Sequence, residues 1–354
     1  MNGFEDSHVL EVDGSQKSGS GTILRLSIAL AGIIGEPLHI RNIRKKRSQP
    51  GLRPQHLEAV LTAAKLCDAE TDGAALDSQE LWFEPREING GDIRAEIGTA
   101  GSIPMLLLTI LPLCAFAKHP VRVHIAKGGT DVRHSPTINY LKYVLLPVLG
   151  RMGLKGSIDI EKYGYYPKGM GEVSLEIQPC PQLNPLHLDD FGTVEEIRGV
   201  SVCTFLEDRR VAERQANAAN KYLRSHGYEA NIHVVNDRSN PVQKGSSLVL
   251  WTRTSSEALL GGDAIGELRK PSEVVGREAA ENLHRELKAE PTVDVHLADM
   301  LVPYIALAEG ASMYLTRTMT DHLDTNIWLA QKILGVKFRV SRTEHLYRVE
   351  KAGS

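Results

Sequence analysis

One local pattern recurs along the chain: a short polar turn, a mostly apolar helix, a glycine or proline break, and a strand of alternating character. The turn and helix recur at residues 19–30, 99–111 and 322–334, and the strands that follow lie at 38–43, 121–125 and 336–340. Copies separated by far more than roughly 50 residues exclude a solenoid and favour repeated α/β subdomains, each a small sheet faced by helices. Three such units packed around one axis would bring their helix-start loops together.

A second helix is expected in each unit. It begins near Pro54 in the first unit and near Pro136 in the second, whereas residues 272–287 are the candidate in the third. Paired strand-like runs follow the first two of these helices, at residues 81–85 with 93–97 and at residues 156–160 with 173–177. The predicted fold class is therefore α/β (α+β).

Additional chain separates the second unit from the third. Strand-like runs lie near residues 196–205, 229–235 and 247–252, and a helix over residues 210–225 carries the apolar face Ala212, Ala216, Ala219 and Leu223. This pattern predicts an inserted small α/β domain over residues 185–275. The large domain would consist of residues 1–184 and 276–354.

Charge and cysteine content narrow the classes of function. The formal net charge is −3, so any contact with nucleic acid has to be a local basic patch, such as one that binds a strand end. The cysteines lack a Cys-x-x-Cys pair, which argues against a metal cluster or a disulfide framework and predicts an intracellular protein, in the nucleus or cytoplasm. The most apolar run, residues 103–117, contains prolines and is too short to span a bilayer. We expect a buried helix there and no membrane association.

His322 is the candidate catalytic residue. It precedes an amphipathic stretch with apolar residues at helical spacing from Ile327 to Leu334, and Asp324 or Thr325 would be a suitable N-cap. The imidazole is therefore expected just ahead of a helix N-terminus, which attracts phosphate and disfavours imidazolium. A neutral ring beside a phosphate can attack phosphorus. The alternative is a loop histidine that caps the helix.

Two loops near the start of the chain are candidates for phosphate binding. Residues 13–25 are rich in glycine and serine, which lets backbone N–H groups approach an anion, although a tight turn is equally consistent. Residues 43–56 contain Arg44, Lys45, Lys46, Arg47 and Arg53, followed by Gln55 and His56. Arginine forks bind phosphate oxygens bidentately. A solvated basic loop is the alternative, but the proline and glycine spacing indicates a fixed shape and favours function.

Three further segments have both a functional and a structural interpretation. Arg133 and His134 could face the same cleft or complete a structural turn. The aromatic residues and Lys168 of residues 163–173 could line a nucleotide-binding surface by stacking, or form an irregular hairpin. Asp299 opens an apolar helix, either as part of a metal site or as an N-cap, and the cap is the safer interpretation.

Six motifs follow one another along the chain. They are Asp13-Gly-Ser with Gly19-Ser-Gly-Thr-Ile-Leu-Arg, Pro50-Gly-Leu-Arg-Pro-Gln-His, Thr99-Ala-Gly-Ser, Gly128-Gly-Thr-Asp, Gly164-Tyr-Tyr-Pro-Lys-Gly and His322-Leu-Asp-Thr-Asn. Together they resemble the RNA 3′-terminal phosphate cyclase family over nearly the whole chain. The resemblance implies three βαβαββ-type repeats in a large domain, with a smaller inserted α/β domain.

The resemblance also implies a reaction. His322 would attack the α-phosphate of ATP and become adenylylated, and the adenylate would pass to an RNA 3′-phosphate. The neighbouring 2′-hydroxyl would then displace AMP to give a 2′,3′-cyclic phosphate. A divalent ion, Mg or Mn, would spread the charge on the triphosphate. The RNA 3′ end and ATP are therefore the expected partners.

The resemblance assigns further residues to the site. Nucleotide or phosphate contacts are expected from Arg44, Arg47, Gln55, His56, Ser18 and Asp299. No metal ligand is assigned.

Several positions differ from what the family usually has, among them Met170, which replaces the middle glycine of a Gly-Gly-Gly run. Ser18 and Leu108 replace a glutamate and a glutamine, and His296 and Met300 replace a tyrosine and a glutamine. Losing such polar contacts typically costs about 1–3 kcal/mol each in a buried site. The principal prediction is an ATP-dependent ligase that forms the cyclic phosphate. The alternative is a catalytically degenerate nucleotide- or RNA-binding homologue in RNA processing or ribosome assembly; the motifs disfavour a third, an enolpyruvyl transferase of sibling fold.

Overall fold

The first unit is a complete βαβαββ repeat. A computed structural model of the chain describes residues 9–353. The elements of the first unit are β1 (Leu10–Asp13), α1 (Gly21–Ile34), β2 (Leu38–Arg41), α2 (Pro54–Cys67), β3 (Glu70–Asp72) and β4 (Leu81–Glu84). The sheet has the order β1-β2-β4-β3, with β1 and β2 parallel because a helix connects them.

The second unit repeats this strand order as β5-β6-β8-β7. Its elements are β5 (Gly91–Glu96), α3 (Ile103–Ala115), β6 (Val121–Gly128), α4 (Ile138–Tyr140), a π-helical turn (Leu141–Leu145), α5 (Leu146–Arg151), β7 (Gly156–Lys162) and β8 (Gly171–Ile177). The π-helical turn precedes Pro147, which has no N–H for a regular helical hydrogen bond. The predicted buried helix over residues 103–117 is confirmed as α3.

One strand pairing is corrected. Residues 93–97 were expected to pair with 81–85, but β5 opens the second sheet and β4 pairs with β3 instead. β3 could not be recognised from the sequence, because its side chains are largely exposed and show no alternation of apolar and polar residues.

Among residues 9–353, the third unit has no separate first strand. Its elements are α8 (Val295–Leu307), β13 (Ser312–Thr316), α9 (Asp321–Leu334), β14 (Phe338–Arg342) and β15 (Tyr347–Lys351), with the sheet order β13-β15-β14. In place of that strand, the backbone N–H groups of Thr292 and Val293 donate to the carbonyl of Leu315.

The prediction that α9 is the counterpart of α1 and α3 is wrong. The second helix of the first unit, α2, packs on α3 of the next unit, and α9 packs on α1 in the same way. The first-helix position of the third unit belongs to α8. Local sequence could not separate the two helices, because in every unit both follow a turn and precede a strand.

The inserted domain is a four-stranded sheet of order β10-β9-β11-β12. Its elements are β9 (Val194–Thr204), α6 (Val211–Arg224), β10 (Ala230–Asp237), β11 (Gly245–Thr254), β12 (Leu259–Ile265) and α7 (Ser272–Ala289). Residues 272–287 were expected to form a helix of the third unit, which is wrong, because α7 packs on α6, β11 and β12. The predicted boundary at residue 275 falls inside α7, and we propose that the inserted domain extends through Ala289.

The opposite face of this sheet packs on the large domain. Alternate residues of β11 divide between the two sides: Leu248 and Leu250 join the core beneath α6 and α7, whereas Val249 joins the main core. Trp251 stacks on Tyr143 with ring centroids 4.5 Å apart. Within residues 9–353, none of the helices combines the length and hydrophobicity that a bilayer-spanning segment requires.

Candidate active site

A cavity of about 810 Å³ lies where the three units and the inserted domain meet. Its wall includes Ser20, Gly21, Thr22, Arg25, Arg44, Arg47, Gln55 and His56 from the first unit, Ser102, Leu108, Arg133, His134, Pro136 and Tyr140 from the second, Asp263 from the insert, and His296, Asp299, Met300, Tyr304, His322 and Asn326 from the third. The expected convergence of helix-start loops is therefore present.

Helix N-termini give this cavity a positive end. The hydroxyl of Ser20 accepts a hydrogen bond from the Thr22 N–H at the start of α1, and that of Ser102 accepts one from the Met105 N–H at the start of α3. The hydroxyl of Thr320 accepts from the Leu323 N–H at the start of α9. The remaining free N–H groups and the helix dipoles favour an anion at this point.

His322 lies in the first turn of α9, not ahead of it. The N-cap is Thr320, so the prediction of Asp324 or Thr325 as the cap is wrong. The apolar stripe begins one turn earlier than expected, because Leu323 is fully buried. Thr325 instead accepts a hydrogen bond from the Ser18 N–H at 3.2 Å, which ties the first loop to α9.

A threonine orients the His322 ring. Nδ1 of His322 lies 3.0 Å from Oγ1 of Thr22, and Nη2 of Arg25 donates to the same oxygen at 3.2 Å. A hydroxyl oxygen has two lone pairs, so it can accept from both Arg25 and a protonated Nδ1. In that tautomer Nε2 keeps its lone pair, which is what a nucleophile requires.

The cations around His322 repel its proton. Burial lowers the pKa of His322 below its ordinary value of 6.5, and Arg25 and Arg47 lower it further. Burial and the same arginine cluster lower the pKa of His56 to about 2. The pKa of Arg25 falls to about 10 through burial and the charges of Arg44 and Arg47. Across residues 9–353, no carboxylate forms an ion pair with any of these three arginines. Such a cluster of unpaired cations is expected to bind an anion.

The basic loop has a fixed shape. Nη1 of Arg44 donates to the carbonyls of Gln49 and Gly51, both at 2.7 Å, and Nζ of Lys46 donates to the Lys17 carbonyl at 2.6 Å. Arg44 therefore closes the loop on itself while it lines the cavity. The side chain of Arg47 is exposed and reaches the same cavity.

Gln55 connects the helix starts of neighbouring units, whereas His56 packs on a helix start of its own unit. Oε1 of Gln55 accepts a hydrogen bond from the Ser102 N–H at 2.7 Å. His56 packs so closely on Gly21 that a Cβ there would lie 2.6 Å from Nε2 of His56 and 2.8 Å from Nη1 of Arg25. Only glycine leaves room for both side chains. Nδ1 of His56 is buried without a hydrogen-bond partner in the described chain.

Of two further predicted site residues, Ser18 lies behind the cavity wall and Asp299 belongs to it. Ser20, rather than Ser18, lines the described cavity, and the Ser18 hydroxyl lies 3.0 Å from that of Ser20. The interpretation of Asp299 as an N-cap is wrong, because Asp294 caps α8. Asp299 lines the cavity from inside the helix and accepts a hydrogen bond from the Thr320 hydroxyl at 2.5 Å, which fixes the start of α9. Burial raises its pKa to about 7.

Asp294 is a buried junction between three parts of the molecule. Its carboxylate accepts hydrogen bonds from the Tyr140 hydroxyl of the second unit at 2.7 Å and from the Gly261 N–H of the insert at 2.8 Å. It also accepts from the His296 and Leu297 N–H groups of α8. The position of α8 is thereby tied to both neighbours.

Sequence reasoning missed several cavity residues. Thr22 and Arg25 were read only as part of a motif, although their i, i+3 spacing places them on one face of a helix start. Asp263 has no local signal, because only the fold brings the insert to the cavity. Arg133 and His134 do line the cavity, and Arg133 also donates both of its fork nitrogens to Glu267 of the insert.

Candidate metal ligands occur in two places. Within residues 9–353, the one group of three close ligands is His124, Glu161 and Glu172 on the second sheet, outside the cavity. Lys162 already pairs with Glu172 at 2.7 Å. In the cavity, Asp263 and Asp299 offer carboxylate oxygens.

Fold and site together define a repeat-built α/β protein with a histidine and an arginine cluster where helix N-termini converge. The family model described as RNA 3′-terminal phosphate cyclase matches residues 16–340. The chain belongs to this family.

Curated relatives named RNA 3′-terminal phosphate cyclase cover almost the whole chain. The relative from Pyrobaculum neutrophilum is 43% identical over 344 residues, which is 97% of this chain and 98% of the relative. The one from Methanosarcina barkeri is 43% identical over 341 residues, covering 96% and 99%. The one from Nitrosospira multiformis is 40% identical over 339 residues, covering 96% and 95%. These names and the family indicate an enzyme of the cyclase class.

Proposed function

We propose that the chain uses ATP to convert an RNA 3′-terminal phosphate to a 2′,3′-cyclic phosphate through a covalent His322–AMP intermediate. One observation carries the proposal. His322 is tethered to Thr22 through Nδ1 and faces a cavity in which Arg25, Arg44 and Arg47 have no carboxylate partners among the described residues. Family membership and the names of the relatives support the same substrates.

The first step forms a phosphorus–nitrogen bond. The lone pair on Nε2 of His322 attacks the α-phosphorus of ATP, and the bond to the β-phosphate oxygen breaks, so that pyrophosphate leaves. Arg25 and Arg47 stabilise the negative charge that develops on the phosphates. Thr22 Oγ1 accepts a hydrogen bond from Nδ1–H, which keeps its proton, and so stabilises the cationic imidazole–phosphate intermediate.

The second and third steps transfer the adenylate and close the ring. An oxygen of the RNA 3′-phosphate attacks the phosphorus of His322–AMP, and the phosphorus–nitrogen bond breaks with return of the electron pair to Nε2. The adjacent 2′-hydroxyl then attacks the 3′-phosphorus, loses its proton, and expels AMP. A bare phosphate oxygen is a poor leaving group, whereas AMP is a good one, so the covalent route divides one difficult step into easier ones.

The rest of the cavity has groups that suit a nucleoside. Pro136, Leu108 and Met300 supply apolar surface on its wall. The Tyr304 hydroxyl and Oδ1 of Asn326 also belong to wall residues, and both are buried without a described hydrogen-bond partner. Unpaired buried polar atoms are costly, so they are expected to bind polar atoms of a ligand or water. The cavity thus fits a nucleotide in both charge and lining.

A divalent ion also fits the residues present. Mg and Mn prefer oxygen ligands and commonly use one or two carboxylates together with phosphate oxygens of the substrate. Asp263 and Asp299 are the carboxylates on the described cavity wall that would bind it. When bound, the ion would spread the charge of the triphosphate.

The alternative is a homologue that binds nucleotide or RNA without catalysis. It predicts a ligand in the same cavity but no covalent intermediate. The tethered ring, with Nε2 left free in one neutral tautomer, favours the enzyme over the binding protein.

The direct test is product analysis. With ATP, Mg or Mn, and an RNA oligonucleotide that ends in a 3′-phosphate, we expect conversion to a 2′,3′-cyclic phosphate with one AMP and one pyrophosphate for each RNA. The same RNA with a 3′-hydroxyl is the matched control and is expected to remain unchanged. Tight binding of ATP and RNA without AMP formation would instead support the binding protein.

The pH dependence of labelling reports on His322. Its pKa lies below 6.5, so the neutral ring predominates at pH 7 and is lost only as the pH falls below about 6.5. Arg25, Arg47 and His296 lower this pKa, and Asp321 raises it. Single-turnover labelling with α-labelled ATP should therefore be flat above pH 7, with its midpoint below 6.5. Asp321→Asn should move the midpoint to lower pH, and a midpoint above 7 in the unaltered protein would contradict the assignment.

A further inference from the structure

The aromatic loop, residues 163–171, presents one of its three tyrosines to solvent. The Tyr163 hydroxyl accepts a hydrogen bond from Nδ2 of Asn139 at 3.2 Å, and the buried Tyr165 hydroxyl lies 3.2 Å from Oγ1 of Thr204. Tyr166 is 77% exposed, which is unusual for a residue of its size. Tyr165 is buried and Tyr163 is partly buried against the core, so Tyr166 is the most accessible of the three rings for stacking.

The inserted domain fixes this loop. Nδ2 of Asn240 donates to the carbonyls of Tyr163 and Gly169, at 2.7 and 3.1 Å. The Lys168 N–H donates to Oε1 of Gln243 at 3.2 Å. The loop is thus a shaped platform in which Tyr166 is exposed by the fold, and the insert residues 240–244 form its second edge.

The platform is basic and partly apolar. Lys168 and Lys244 are exposed, and in the described part of the chain neither ammonium group forms an ion pair. Val242, on the insert edge, is 48% exposed beside them. An exposed aromatic ring among unpaired lysines is the combination that binds single-stranded nucleic acid, with stacking on bases and attraction to phosphates.

The platform adjoins the cavity. A Cβ on Gly169 would lie 2.7 Å from the Thr99 carbonyl oxygen and 2.9 Å from Cα of Ala100. Ser102, which follows in the same turn, lines the cavity. Thr99 is exposed, so the surface between cavity and platform is open.

We propose that single-stranded RNA leaves the cavity over residues 99–101 and stacks a base on Tyr166, with Lys168 and Lys244 facing its phosphates. The inference rests on the proposed function, because it requires the RNA 3′ end to occupy the cavity. It adds a binding surface for the nucleotides on the 5′ side of the terminal phosphate, which would favour longer RNAs over short ones.

Equilibrium binding tests the surface without depending on catalysis. The probes are a decanucleotide and a dinucleotide RNA, each with a 3′-phosphate and a fluorescent label. Fluorescence anisotropy measures the affinity of the protein for each of them. Tyr166→Ala should weaken binding of the decanucleotide about 5-fold or more while the dinucleotide binds as before, since stacking on one aromatic ring is worth about 1–3 kcal/mol per base. Lys168→Ala should reduce the slope of log affinity against log salt by about 0.7.

Two control variants separate stacking from loss of structure. Tyr166→Phe keeps the ring and should bind like the unaltered protein. Ile34→Ala changes a partly exposed apolar residue at the far end of α1 and should change neither affinity. The proposed surface would be refuted if the decanucleotide bound Tyr166→Ala as tightly as the unaltered protein. It would also be refuted if the substitution weakened binding of both RNAs by the same factor. Binding through Tyr166 without covalent labelling by ATP would refute the cyclase mechanism and leave the surface intact.

Discussion

His322→Ala is expected to abolish covalent labelling by α-labelled ATP, with a loss of more than about a thousandfold in the rate of AMP transfer. The substitution removes the only atom assigned to attack phosphorus, while the arginine cluster that binds the phosphates stays in place. ATP should therefore still bind. Labelling after acid quench measures the chemical step, and calorimetric titration measures binding separately.

Two variants sharpen this experiment. His322→Asn preserves a polar group near Thr22 but cannot form the intermediate, so it should fail in the same way. His119→Ala changes an exposed histidine outside the described cavity and should be labelled normally. Label that persists on His322→Ala would show that another residue is the nucleophile.

Arg25→Ala should weaken ATP binding by about 10- to 150-fold, because hydrogen bonds to charged groups contribute roughly 1.5–3 kcal/mol. Thermal stability should be unchanged or higher, since burial and the charges of Arg44 and Arg47 disfavour the guanidinium cation and lower its pKa to about 10. Calorimetric titration with ATP and thermal unfolding measure the two effects. Loss of affinity without loss of stability is characteristic of a residue placed for a ligand.

Arg41→Ala is the matched control for charge. That arginine is exposed and lies 3.8 Å from Glu11, outside the described cavity. Arg44 would be a poorer choice for the main test, because it closes the basic loop through two backbone carbonyls, so its removal changes loop shape as well as charge. Unchanged ATP affinity in Arg25→Ala would contradict the assignment of the cluster to phosphate.

Much of the fold could be predicted from patterns within single elements. The helix over residues 103–117, the α6 face and three of the four strands of the insert follow from apolar periodicity and breaks, which are local properties, whereas β12 was not predicted. The correspondence between units could not be read in this way. The helix of His322 resembles both helices of a unit in local sequence, and only its packing on α1 shows which position it occupies.

The site shows the same division. Arg47, Gln55 and His56 were predicted from one dense segment, and the structure brings all three to the cavity. Asp263 belongs to the inserted domain and reaches the cavity only because that domain packs on the large one. No local sequence pattern predicts this contact. Asp299 was assigned a capping role because acidic residues are common caps, but the cap is Asp294, five residues earlier.

The junction at Asp294 limits how ligands can enter. A swing of the inserted domain away from the body would break the bond from the Gly261 N–H to a buried carboxylate, which costs about 1–3 kcal/mol before any apolar contact is lost. The same carboxylate holds the first turn of α8, so such a swing would loosen the helix that carries Asp299. Entry is therefore expected past Arg47, whose exposed side chain can change rotamer while the bonds of Arg44 and Lys46 to backbone carbonyls keep the loop in place.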